Sequence, residues 1–414
     1  MSSSSAKASV LSLTPPQLEE IFSPSLIRAR ARQVFDLTLA GKTSFLYHAD
    51  KLESTVDYVL KVIEQNYPSL EIPFHSRWGH FRVGGVDRIK KLDQRLSGCE
   101  PLERARAKLD LVITSVLLDA GAGNAWTYRD VETGRSFGRS EGLGLASLAL
   151  FLSKQLGQDS SSPRVDSRGL RSISKWALER HFQVSPTNPL VGVEGRVKLL
   201  NNLAAAVADT TRFRNGRPGN ILDYLLERHG QKLHATQILR AVLEGFGSIW
   251  PGRLSANGIN LGDVWHYAKL PQDSAHGQLV PFHKLSQWMT YSLIEPILEA
   301  GIEVHGVEEL TGLAEYRNGG LMLDADLISL QNPQDGMRAW EPGSELVIEW
   351  RALTIHLLDL IGEQVQKRLG KTPQEFPLGK VLEGGTWWAG RFQARAKRTD
   401  GSPPLNIVSD GTVF

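Results

Sequence analysis

Leu102-Glu103-Arg104-Ala105-Arg106-Ala107-Lys108-Leu109-Asp110-Leu111-Val112-Ile113-Thr114-Ser115-Val116-Leu117-Leu118-Asp119-Ala120, with Gly121 directly behind it, is the stretch whose reading decides the fold. Leu109, Val112, Ile113, Val116 and Leu117 recur at the three- and four-residue intervals that stack side chains on a helix. Their density predicts a buried helix, and Gly121 supplies its stop. The same signal recurs outward in both directions. Pro15 and Pro16 ahead of Gln17-Leu18-Glu19-Glu20-Ile21 open a helix where proline is tolerated. Helical periods cover 144–156, 170–182, 196–207, 221–228, 236–246 and 284–300, the last with Pro296 as a kink point. The stretch 345–369 is the longest candidate. Strand signals are few and short: Gly301-Ile302-Glu303-Val304 and Leu321-Met322-Leu323 are the best. There is no β–α alternation and no internal repeat, so the expected fold is mainly α with a few short strands.

The expected organisation is a tail over 1–10, one large helical domain over 11–371, and a Gly-, Pro- and Arg-rich segment over 372–414 packed on that domain. The Ser-rich start carries no apolar region of a secretory signal. The break at Gln158-Asp159-Ser160-Ser161-Ser162-Pro163 reads as a surface loop, not a domain boundary. A formal net charge of +2 over 414 residues gives no global field for nucleic acid or an anionic membrane. No apolar run is long enough to span a bilayer. The single cysteine, Cys99, excludes a disulfide framework and a thiolate zinc site. A cytoplasmic protein is expected, with a small molecule as its partner. No P-loop, dinucleotide fingerprint or hydrolase elbow is present.

Four segments concentrate polar chemistry. Asp119 lies at the end of its helix, facing the negative end of the macrodipole, so something must offset that charge. It is either an acid at the lip of a pocket or an acid bonded into the turn. Glu315, Tyr316 and Arg317 set a carboxylate, a phenol and a guanidinium side by side before Gly319-Gly320, either as a site or as a buried ion pair. His75 to Arg88 brings two histidines, three arginines and Gly84-Gly85 together, which suits a phosphate better than a metal. The run Gly384-Gly385-Thr386-Trp387-Trp388-Ala389-Gly390-Arg391 is either an anion cradle or a packed tail.

From about Leu11 onward these residues resemble the uracil catabolism protein 4 (uracil-regulated protein) family of fungi and bacteria. The marks are Ser76-Arg77-Trp78-Gly79-His80-Phe81, Asn188 to Arg196, Arg217-Pro218-Gly219-Asn220, Leu261-Gly262-Asp263-Val264-Trp265, Pro281 to Met289, Thr311 to Gly320 and Ser409 to Phe414. That resemblance implies a pyrimidine-degrading route that works through uridine monophosphate and releases urea. A more distant one is to the queuosine salvage proteins, N-glycosidases on a helical, DNA-glycosylase-like scaffold. It is carried by Asp119 to Trp126, by Phe282-His283-Lys284-Leu285-Ser286-Gln287, and by Leu310-Thr311-Gly312-Leu313-Ala314-Glu315-Tyr316-Arg317, where Glu315 replaces that family's Asp.

The resemblance implies hydrolysis of the ribosyl C1′–N bond of ribosylurea or its 5′-phosphate. Asp119 and Glu315 are the expected catalytic carboxylates, because an oxocarbenium-like transition state needs a nearby anion and the water needs a base. Asn124, Trp126, Lys284, Gln287, Tyr316 and Arg317 are the expected substrate contacts. Arg77, His80, Arg82 and Arg391 are the expected phosphate ligands. The scheme requires no metal and no cofactor. The alternatives are a metal-dependent amidohydrolase using the histidines at 75 and 80, and a non-catalytic binder of a phosphoribosyl metabolite.

Overall fold

The structure, a computed structural model, describes residues 9–119, 121–123, 125–158, 162–250 and 253–408. The fold is mainly α: long helices carry the core, and the strands are two or three residues long in sheets of two or three strands. The described chain divides into two compact units, one of 9–75, 253–287 and 306–408, the other of 76–250 and 288–305.

The first unit is built on the Glu345–Leu369 helix, which ends at Gly370 in the left-handed conformation. Its apolar positions Ile348, Ala352 and Ile355 meet Ile27, Ala31 and Val34 of the Pro24–Leu39 helix in one core cluster, together with Tyr267, Val280 and Phe282. Both triplets have i, i+4, i+7 spacing, so each helix presents a single stripe to the other. Truncating one of these isoleucines to alanine costs about 2–5 kcal/mol. The same helix buries Glu349 and Arg351. Glu349 accepts from Tyr267 Oη at 2.7 Å, Lys269 Nζ at 2.8 Å and the Ser44 amide at 2.7 Å.

Residues 321–323 correct one expectation: they are helical, inside Tyr316–Asp324, and not a strand. A three-residue apolar run carries no period of its own. Glycine contacts decide this region. A Cβ at Gly390, in the Trp387–Lys397 helix, would stand 2.1 Å from the Arg317 carbonyl oxygen. One at Gly319 would stand 2.8 Å from the Trp350 ring. The helices therefore touch through bare backbone. Gly384 and Gly385 lie in a π-helical turn, Leu382–Thr386, pressed on Ile72, Val59 and Ile63. These glycines are packing surfaces of a helix.

The second unit centres on the Pro101–Leu117 helix, buried at every position from Ala107 to Leu117. Lys108 within it is neutralised by Asp93 at 2.7 Å and by Glu299. The Arg139–Leu152 helix packs against it, while its Gly142 and Gly144 are the tight points toward Phe137 and His80. The single helix expected over 170–182 is two, Ser167–Ser172 and Lys175–His181. Ile173 is extended, and Ser174 caps the second helix through the Ala177 amide at 3.1 Å. The hydroxyl offers the backbone a cap where helical continuation offered only another turn. Glu303–His305 forms a strand as expected, parallel to Lys232–His234. The Lys284–Glu299 helix contains Pro296. Among the described residues no helix is long and apolar enough to cross a membrane.

Candidate functional site

Asp119 follows the end of the 101–117 helix, in the second unit. A carboxylate there opposes the macrodipole by about 0.3–1 kcal/mol. Its partners outweigh that. Arg77 Nη1 donates to Oδ1 at 2.7 Å and Ser140 Oγ donates to Oδ2 at 3.0 Å. Hydrogen bonds to a charged group are worth about 1.5–3 kcal/mol each. Arg196 reinforces the corner. Its guanidinium donates to the carbonyls of Leu118, Val191 and Gly121, so it covers free acceptors at the helix end and brings positive charge to it. Burial pulls the Arg196 pKa down to about 10, while Asp119 acts to raise it.

Arg77 is fully buried. Its Nε donates to Ser115 Oγ at 2.7 Å, and Nη1 also reaches the Ser140 carbonyl at 3.3 Å. The guanidinium carbon lies 5.6 Å from the Trp288 ring centroid, and the His80 ring meets the same indole edge-on at 5.8 Å. Burial lowers the Arg77 pKa and Asp119 opposes that shift. Arg77 Nη2 has no hydrogen-bond partner among the described residues. A Cβ at Gly144 would stand 3.4 Å from that atom and 2.9 Å from His80 Cβ, so glycine there lets the side chains lie against the helix. Asp119 keeps 9% of its side-chain surface open, against none for Arg77. The arrangement is a carboxylate clamped at a helix end, with its cation beneath it.

The other expected residues of this unit fall as follows. Arg82 pairs with Glu295 at 2.9 Å and stands 3.8 Å from Asp87. Trp126 is buried, and its Nε1 donates to the Phe182 carbonyl at 2.8 Å. Asn124 lies outside the described residues.

In the first unit Glu315 is the N-cap of the 316–324 helix. It accepts from the Arg317 amide at 2.8 Å and the Asn318 amide at 2.6 Å and is largely buried. Glutamate is not among the usual capping residues, yet its longer stem reaches both amides. Arg317 Nη1 donates to the Gly401 carbonyl at 2.8 Å, and its guanidinium sits 5.1 Å from the Tyr316 ring. Arg391 lies over Trp387 and Trp388 at 5.4 and 5.3 Å. Lys284 opens its helix with its backbone amide 3.1 Å from Asp263 Oδ2. Gln287 is fully buried, and neither of its amide atoms is hydrogen-bonded among the described residues.

Sequence reasoning passed over the Asp263–Arg351 pair. Both guanidinium Nη atoms meet the carboxylate at 2.7 Å, and Trp265 Nε1 adds a third bond at 2.7 Å. Burial acts to raise the Asp263 pKa, but Arg351, Trp265 and the Lys284 amide hold it well below the ordinary range. An arginine in the middle of the apolar 345–369 run was the available signal, since a charge there requires a partner. His75 Nδ1 lies 2.7 Å from a carboxylate oxygen of Glu383. Among the described residues no group of three His, Cys, Asp or Glu is placed to hold a metal ion.

The model of a family described as "Protein of unknown function (DUF1688)" matches residues 20–414. The chain belongs to the DUF1688 family. It is 36% identical over 431 residues to "Uracil catabolism protein 4" of Lachancea kluyveri, covering 95% of this chain and 98% of that protein. It is 38% identical over 403 residues to "Protein urg3" of Schizosaccharomyces pombe, covering 94% and 96% respectively. The DUF1688 match takes in both units, and with them Arg77, Asp119, Asp263, Glu315 and Arg351.

Proposed function

We propose that this chain works in uracil breakdown as a hydrolase of a ribosidic C–N bond, with ribosylurea or its 5′-phosphate as substrate. The name of the Lachancea kluyveri relative supports the route. The observation that carries the chemistry is the Asp119 carboxylate, fixed by Arg77 and Ser140 and still partly open.

In this reading water adds to C1′ as the C1′–N bond breaks, giving ribose, or ribose 5-phosphate, and urea. Positive charge develops on the sugar ring, and a preset carboxylate stabilises it without having to reorganise. The water loses one proton and the departing urea nitrogen gains one, so the balance closes without a co-reactant. Asp119 is the carboxylate assigned to the sugar. Arg77 is a positioning residue beneath it, with Nε on Ser115 and Nη1 on Asp119. Glu315 is the second carboxylate of the proposal and is judged by its own substitution.

The test is incubation of the purified chain with ribosylurea and, separately, with its 5′-phosphate, following urea enzymatically and the sugar by NMR. Release of both products from either substrate supports the reading. Intact substrate after prolonged incubation with folded protein overturns it.

A further inference from the structure

Asp110 anchors a second charged centre, nine positions before Asp119 and ~13 Å away along the helix axis. Its carboxylate is fully buried and accepts from Arg217 Nε at 2.7 Å and from the amides of Gly219 at 2.7 Å and Val165 at 3.3 Å. The segment that delivers Arg217 is tightly built. Asn215 and Gly216 are left-handed, with φ 57° and 64°. A Cβ at Gly219 would stand 2.2 Å from the Arg106 carbonyl oxygen, so only glycine lets this backbone lie on the helix.

Arg217 is thereby locked in place with 4% of its surface exposed. Nε goes to Asp110 and Nη1 to Glu103 at 2.6 Å. Nη2 is buried and has no hydrogen-bond partner among the described residues. The side chain lines a cavity of about 390 Å³ together with Arg106, Arg164, Arg214, Glu103 and Asp223. That volume falls in the range of small-molecule sites. Four arginines and two carboxylates line the cavity, and Arg106 pairs with Asp223 and Arg214 with Glu227, each at 2.6 Å. Guanidinium forks match the oxygen geometry of phosphate, and an unmet buried donor calls for an acceptor.

We infer that this cavity is a binding site for a phosphate group, carried either by free phosphate or by a small phosphate monoester. Arg217 forms its floor, and Arg164 and Arg214 are further guanidinium groups of its lining. Glu103 and Asp223 each retain oxygen lone pairs beyond those given to arginine, so a hydroxyl-bearing ester has acceptors beside its phosphate. The inference stands apart from the ribosidic reaction and holds or fails without it.

The experiment is isothermal titration of the full chain with inorganic phosphate and, separately, with ribose 5-phosphate. Arg217 is left intact, because its loss strands buried Asp110. The variants are Arg214→Glu and Arg164→Glu, each checked for folding by its melting curve, with the exposed Lys90→Glu as control. The expected result is a saturable phosphate site retained in Lys90→Glu and weakened at least tenfold in the two arginine variants. Tighter binding of ribose 5-phosphate identifies an ester as the ligand; equal binding identifies phosphate itself. No saturable binding of either anion, or unchanged affinity in both arginine variants, overturns the site.

Discussion

Arg77 Nη1 stands 2.7 Å from Asp119 Oδ1, with the guanidinium sealed from solvent and the carboxylate partly open. The asymmetry gives the pair a direction. Arginine cannot leave the pair for water, whereas the acid presents a face outward. Removing one member of a buried pair is costlier than the net worth of the bond, because the other charge stays behind.

Arg77→Met is therefore expected to lower stability by about 3–5 kcal/mol. Urea denaturation read by tryptophan fluorescence checks it. A loss well under 1 kcal/mol shows that the pair is not the buried anchor described above.

Glu315→Ala removes two amide acceptors at the start of the 316–324 helix. A lost cap costs about 0.5–2 kcal/mol. If Glu315 only caps, Glu315→Gln, which keeps an acceptor oxygen, retains most of the turnover while losing part of that stability. A drop in kcat of a hundredfold or more in Glu315→Gln, at a nearly unchanged melting temperature, assigns it to the chemistry instead.

Gly390→Ala places a methyl group where the Arg317 carbonyl oxygen already sits, 2.1 Å away. The helices have to separate, at a cost of about 1–3 kcal/mol. Thermal melts check this. An unchanged or raised melting temperature refutes the close backbone contact, since alanine otherwise favours a helix.

Asp263 governs acid stability. Its folded pKa lies below the ordinary 3.8 through Arg351, Trp265 and the Lys284 amide, against the opposing effect of burial. In this region the unfolded chain binds the proton more readily, so the stabilisation is complete above about pH 4 and is lost as pH falls further. Asp263→Asn is expected to be less stable at neutral pH and to show a shallower decline below pH 4. Parallel stability–pH curves for the two proteins contradict the assignment.

The helical class was legible in the sequence, because long apolar periods such as 102–120 and 345–369 carry their own evidence. Leu321-Met322-Leu323 was not, being too short to show a period and settled by glycine contacts at positions remote in the chain. The Gly384–Arg391 run shows the same limit: glycine signals a turn locally but a close helix crossing in three dimensions. At the site, the misfit of Asp119 with its helix end was readable, whereas the partner that resolves it, Arg77, required the fold. Glu315 likewise showed as a charge in need of partners, and those partners are main-chain amides that composition does not reveal.

The most direct measurement is the single-turnover rate of urea release from ribosylurea 5′-phosphate by the parent chain and by Asp119→Asn, at matched melting temperatures. The account predicts release by the parent and a loss of at least a hundredfold in the variant, comparable to removing one preset electrostatic contact in an enclosed site. Equal rates in the two proteins contradict it.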